Sequence, residues 1–181
     1  MANARFSVAP AYYTGSEVTP EVTVTHSGKT LVKDRDFTVT YHNNIEPSSY
    51  YNSPWVGIDG IGNYQGYVTK SFTINRADIS SCTVTLSDES LTYTGSSLRP
   101  TATVKSGDKE LTLNQDYYVS YRNNWDAGTA SAILTGTGNY TGSVTKDFTI
   151  KPLDISRYSA SLSQYSYTSD GTEKCPDVTV T

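Results

Sequence analysis

The sequence predicts an all-β chain made of two small tandem modules and the start of a third, and three observations carry this. The same marks occur twice in the same order along the chain. Apolar residues recur with a period of two, as in Phe37, Val39 and Tyr41, and no stretch carries a helical period. Thr, Val and Tyr, which suit a pleated half-buried surface, are abundant, with 15 tyrosines among 181 residues.

The first copy reads Tyr13-Thr-Gly, Pro20-Glu-Val-Thr-Val, Asp36-Phe-Thr-Val-Thr-Tyr-His-Asn-Asn, Gly62-Asn-Tyr-Gln-Gly and Val68-Thr-Lys-Ser-Phe-Thr-Ile. The second reads Tyr93-Thr-Gly, Pro100-Thr-Ala-Thr-Val, Asp116-Tyr-Tyr-Val-Ser-Tyr-Arg-Asn-Asn, Gly138-Asn-Tyr-Thr-Gly and Val144-Thr-Lys-Asp-Phe-Thr-Ile. Tyr13 to Tyr41 and Tyr93 to Tyr121 are both 28 residues, whereas Tyr41 to Tyr64 is 23 and Tyr121 to Tyr140 is 19. The first copy therefore holds a four-residue insertion, around 45–52. A third copy opens at Tyr167-Thr-Ser-Asp-Gly and reaches Pro176-Asp-Val-Thr-Val. This assigns repeat 1 to 5–75, repeat 2 to 79–151 and a partial repeat 3 to 153–181. Phe6 matches Leu86, so repeat 1 is expected to lack most of its opening strand, and the two incomplete ends could complement each other by strand pairing between chains.

In repeat 2 the expected strands are 82–86, 90–94, 98–105, 109–113, 116–122, 129–135 and 143–150. Between them lie turn residues: Ser106-Gly107-Asp108, Asn123-Asn124 and the pair Gly138 and Gly142, matched in repeat 1 by His26-Ser27-Gly28, Asn43-Asn44 and the glycines around Tyr64. Seven short strands in ~70 residues suggest a small antiparallel β-sandwich of immunoglobulin type. The linkers Asn75-Arg-Ala-Asp-Ile-Ser and Lys151-Pro-Leu-Asp-Ile-Ser are short and alike, and are expected to dock successive modules end to end in a fixed, elongated arrangement.

This ordered string of motifs resembles the immunoglobulin-like repeats of large cell-surface proteins of Gram-positive bacteria, close to the MBG type with its Tyr-x-Gly start. The likeness covers nearly the whole chain, departing between Ile45 and Trp55, where a match to Asp126-Ala-Gly-Thr is expected. The resemblance implies a secreted, extracellular structural module: a non-catalytic stalk or spacer on the bacterial surface, or an accessory domain of a surface hydrolase. No catalytic residues carry over from that family.

Composition narrows the classes further. The net charge is -4, with Lys and Arg scattered, which argues against a nucleic-acid partner. No apolar run approaches the ~20 residues of a membrane span, and the opening Met-Ala-Asn-Ala-Arg does not read as a signal peptide. Cys82 and Cys175 fall at non-equivalent positions, so free thiols are expected rather than a repeated disulfide or zinc site. No cofactor is expected.

Candidate sites are few. The Gly60-x-Gly-x-x-x-Gly and Gly136-x-Gly-x-x-x-Gly loops lack phosphate-loop spacing and a following helix, so they read as turns, with Tyr64 and Tyr140 plugging the sandwich end. His26 and His42 read as exposed turn histidines, and Asp34-x-Asp36 and Asn114-x-Asp116 supply too few oxygens for calcium. Asn139-Tyr-Thr matches a glycosylation sequon by pattern alone. Lys70 and Lys146 fall in the inward phase of the last strand, where an isopeptide bond to Asn44 or Asn124, helped by Asp36 or Asp116, competes with plain snorkelling of the side chain. Tyr50, Tyr51, Trp55 and Trp125 lie where the copies differ and are the candidate contacts to a host protein or glycan, the basis of an adhesive or carbohydrate-binding alternative, with Trp55 equally a candidate strand residue filling the sandwich.

Overall fold

A computed structural model describes residues 4–181. Repeat 1 contains β1 (Ala4–Val8), β2 (Ala11–Tyr12), β3 (Val22–His26), β4 (Lys29–Thr30), β5 (Phe37–His42), β6 (Trp55–Gly60), β7 (Tyr67–Ser71) and β8 (Ile74–Asn75). A joint follows, made of β9 (Ala77–Asp78) and a 3-10 turn (Ile79–Ser81). Repeat 2 contains β10 (Thr83–Leu86), β11 (Ser90–Thr92), β12 (Ala102–Ser106), β13 (Lys109–Glu110), β14 (Tyr117–Arg122), β15 (Gly128–Gly136), β16 (Tyr140–Thr141) and β17 (Ser143–Lys151). A second 3-10 turn (Ile155–Arg157) leads to β18 (Ala160–Leu162) and β19 (Val178–Val180). The fold is all-β, in several small sheets, and no helix among the described residues is long and apolar enough to cross a membrane.

In repeat 2, β10, β12 and β13 form one sheet and β11, β17, β15 and β14 a second. Repeat 1 pairs β1, β3 and β4 in one sheet and β5, β6 and β7 in another, with β2 beside β8. Most ladders are antiparallel, but β2 runs parallel to β8 and β11 parallel to β17, which corrects the expectation of wholly antiparallel sheets. In repeat 2 the chain leaves the first sheet after β10 and joins the second alongside its last strand, β17, whereas the equivalent β2 of repeat 1 pairs with β8 in a two-stranded ladder of its own.

The expected strand 98–105 begins at Ala102. The Leu98 N–H donates to the Asn124 carbonyl at 2.8 Å, and the Pro100 carbonyl accepts from the Tyr121 hydroxyl at 2.6 Å, so these groups are taken by loop partners rather than by a ladder. The expected 109–113 strand shrinks to Lys109–Glu110 because the Thr112 N–H goes to the Asp116 carboxylate and Asn114 is left-handed at φ 65°. The β3–β4 hairpin turns on Ser27 and Gly28, both at positive φ, and the β12–β13 hairpin on Gly107, so each uses a turn whose hand matches strand twist. That places His26 at the end of a strand rather than in the turn.

The opening strand of repeat 1 also differs from expectation. Phe6 pairs with Val24, and Val84 pairs with Val104, the residue equivalent to Val24. Phe6 therefore takes the place of Val84 rather than of Leu86, and the connection from the opening strand to Tyr-Thr-Gly is two residues shorter in repeat 1. β1 carries five paired residues against four in β10, so it is not the truncated strand the alignment suggested.

The buried residues fall in two clusters whose division does not follow the repeat boundary. Val24, Leu31, Phe37, Val56 and Ile58 form the smaller one, within repeat 1. Tyr13, Phe72, Ile74 and Ile79 join the core of repeat 2, which includes Val84, Val104, Leu134, Tyr140 and Phe148. Apolar burial is thus continuous across the joint, and this non-directional term is the main favourable contribution to holding the repeats together.

Candidate functional site

The joint is the most elaborated site in the molecule. The Tyr13 ring, which follows β2, meets the Tyr140 ring edge-on at 5.7 Å, an arrangement that aromatic quadrupoles favour. Lys109 Nζ lies 3.4 Å from the Tyr13 hydroxyl and 5.6 Å from its ring centroid, and this contact raises the lysine's pKa and keeps it charged. β16 adds in parallel to β9, and the Ala77 N–H donates to the Asn139 carbonyl at 3.1 Å. Asp78 caps the 3-10 turn through the Ser80 N–H at 2.9 Å, and Gly142 sits so close to that carboxylate that a side chain at 142 would collide with it. Tyr140 is 1% exposed, and burial pushes its phenol pKa up. The expected plugging role of Tyr140 is therefore exercised between repeats. In repeat 1 the matching Tyr64 is half-buried and meets His26 edge-on at 6.0 Å.

Two buried polar devices recur in both copies. Asn44 and Asn124 each return a side-chain N–H to the carbonyl of the residue whose N–H their own carbonyl accepts, Val18 in repeat 1 and Leu98 in repeat 2. The left-handed residues are Asn43 and Asn123, both at φ 54°. One asparagine of each pair makes the bend and the other fastens a crossing loop. Asp36 and Asp116 accept the N–H of Val32 and Thr112 respectively, each at 2.8 Å, while Asp34 and Asn114 make left-handed turns before them. The acidic pattern is a turn device, and no group of three or more His, Cys, Asp or Glu among the described residues is placed to hold a metal.

Asp36 differs from its partner in repeat 2 because Arg35 lies beside it, where repeat 2 has Gln115. The Arg35 guanidinium, and then the Val32 N–H, hold the Asp36 carboxyl down at about 2. A carboxyl depressed in the folded state stabilises above its unfolded pKa of ~4 and loses that contribution as pH falls towards the folded value. Melting temperature should therefore fall between about pH 4 and pH 2 in the native chain, and Arg35→Gln should flatten that fall. Identical pH slopes in thermal melts of the two proteins would contradict this.

The aromatic candidates separate. Tyr50 and Tyr51 occupy the tip of a turn closed by mutual Ser49–Asn52 backbone bonds, and are 95% and 94% exposed. The insertion is pinned below that tip. Ser48 exchanges hydrogen bonds with Ile74, and the Asn52 side chain donates to the Glu46 and Pro47 carbonyls. Trp55 opens β6 and stacks on His42 at 3.8 Å, so it is a half-buried strand residue, and His42 is a strand residue too. Trp125 is 59% exposed on the loop before β15, beside Asn123, Asp126 and Thr129. Three of the four candidates are available to a ligand, and they sit in different repeats rather than in one site.

Lys70 and Lys146 pair across the sheet with the buried Val56 and Ala132, which confirms their inward phase, yet both are exposed. The carboxylates and amides expected to assist an isopeptide bond are engaged with backbone groups, as above. Cys82 is a half-buried free thiol whose pKa burial raises, and Cys175 is free and exposed.

Set against family models, curated proteins and solved structures, the chain matches none. The linker was expected to dock successive modules, but the Tyr13, Tyr140 and Lys109 contact that closes the joint was not found by sequence reasoning. Its signal was present in the repeated Asn-Tyr-x-Gly and Tyr-Thr-Gly, but a tyrosine flanked by glycines reads equally well as an internal turn plug.

Proposed function

We propose that this chain is a non-catalytic spacer of a bacterial cell-surface protein, built from immunoglobulin-like sandwich modules held in fixed succession. The observation that carries the reading is the joint: Ile79 is fully buried, and Tyr13 and Tyr140 close over a core shared by both repeats. Flexible linkers bury little, whereas this linker is itself hydrogen-bonded into the next repeat, which suits a module that sets distance and direction. The repeated buried groups are spent on fastening loops. The motif string of the copies supports the extracellular setting through its resemblance to surface-protein repeats.

The second reading, an adhesive module, is favoured by the ordered Tyr50–Tyr51 turn and exposed Trp125. One experiment separates the two. The wild-type chain on glycan and host-protein arrays, and against glycosidase, peptidase and esterase substrates, should give no signal above blank. Reproducible binding lost in Tyr50→Ala, Tyr51→Ala or Trp125→Ala would establish the adhesive reading instead. Each substitution should change stability by no more than about 0.5 kcal/mol, as exposed positions do.

A further inference from the structure

The surfaces that meet at the joint each exist a second time in this chain, unmated. The donor surface of the joint is the tip of repeat 2 and the acceptor is the tail of repeat 1. Repeat 1 has the same tip. The Gly60 N–H bonds the Gly66 carbonyl at 2.9 Å as Gly136 bonds Gly142 at 3.0 Å, and Tyr64 closes on Ile61 as Tyr140 closes on Thr137. Lys29, on the hairpin beside this tip, corresponds to Lys109. Repeat 2 has the same tail. The Tyr93 N–H bonds the Lys151 carbonyl as Tyr13 bonds Asn75, and Asp154 caps Ser156 at 2.9 Å as Asp78 caps Ser80.

Exposure marks which pair is mated. Ile79 is fully buried, and its counterpart Ile155 is 73% exposed. Asn139 is half-buried at the joint and Asn63 is exposed, while Gly142 abuts Asp78 and Gly66 has open space around it.

We propose that the tail of repeat 2 in one molecule binds the Gly60–Gly66 tip of repeat 1 in a second copy, reproducing the joint between molecules. Tyr64 then meets Tyr93, the Leu153 N–H donates to the Asn63 carbonyl, Gly66 lies against Asp154, and Lys29 reaches the Tyr93 hydroxyl. Each of these chemical roles is filled by the residue type that fills it within the chain, except that Leu153 replaces Ala77. The incoming repeat occupies the space of β18 and β19, so residues 159–181 swing aside at the 3-10 turn. Among the described residues, that segment hydrogen-bonds within itself and not to residues 4–152. Tip and tail are different surfaces, so the contact is head-to-tail and propagates rather than closing at a dimer. The inference rests on the joint itself and stands apart from the spacer reading.

Sedimentation of the full chain over a wide concentration range tests it. The wild type should show a reversible rise in mass that passes beyond a dimer. Asn63→Arg blocks the tip, Ile155→Arg blocks the tail, and both positions are exposed, so each variant alone should stay monomeric with an unchanged melting temperature. An equimolar mixture of the two retains one good tip and one good tail, and should rise to a dimer and stop. A wild type that stays monomeric, variants that associate as it does, or a mixture that fails to pair would each overturn the proposal.

Discussion

Replacing Tyr140 by Ala should destabilise the chain by about 3–5 kcal/mol, as expected for truncating a fully buried aromatic side chain. The ring belongs to the core of repeat 2 and meets Tyr13 from repeat 1, so the loss falls on the repeat and on the joint together. Tyr64→Ala is the internal control, because the same residue in the same turn packs only on its own repeat within the chain. It should cost less than half as much. Chemical denaturation of both variants checks this, and equal losses would show that the joint adds nothing to the turn.

The second large effect is expected at Asn124. Its side chain donates to the Leu98 carbonyl at 2.9 Å from a buried position, and Ala leaves that carbonyl without its partner. Orphaning a buried polar group costs about 1–3 kcal/mol. Asn44→Ala should cost a similar amount in repeat 1, where the bond to the Val18 carbonyl is 3.1 Å. Trp125→Ala, one residue further along, should be nearly neutral. A neutral Asn124→Ala in thermal or chemical melts would contradict the fastening role.

The strands were legible where one face is buried. Alternation placed β14, β15 and β17 to within one residue at either end, because a period of two leaves little freedom when one face must be apolar. Segments whose partners lie far off in sequence were not legible. Leu98 to Thr101 looks strand-like in composition, yet Asn124 and Tyr121 hold it as a loop, and nothing local announces that. The shift of Phe6 into the place of Val84 is likewise a matter of pairing, since both Phe6 and Val8 are apolar and either alignment satisfies the pattern.

The candidate site was legible in kind and not in role. Asn-Asn and the glycine pairs were read correctly as turn chemistry, whereas Asp-x-Asp was weighed only as a calcium site and its turn role came from the structure. Which asparagine bends and which bonds depends on the crossing loop at Val18 or Leu98. The linker was read as a docking point, but the tip it docks on escaped because a repeat reports what recurs within each copy and is silent on which surface faces the next copy. Trp55 shows the same limit: its type left a ligand contact and a strand residue equally open, and its place opposite His42 in a ladder decides for the strand.

The central claim is that the two repeats form one rigid unit through a shared core. Residual dipolar couplings of backbone amides, measured for residues 4–75 and 83–151 in one weakly aligned sample, test it most directly. The account predicts that both sets fit a single alignment tensor, with the same magnitude and orientation, and that Tyr140→Ala splits them. Two different tensors in the native chain would mean that the repeats reorient independently, and would contradict it.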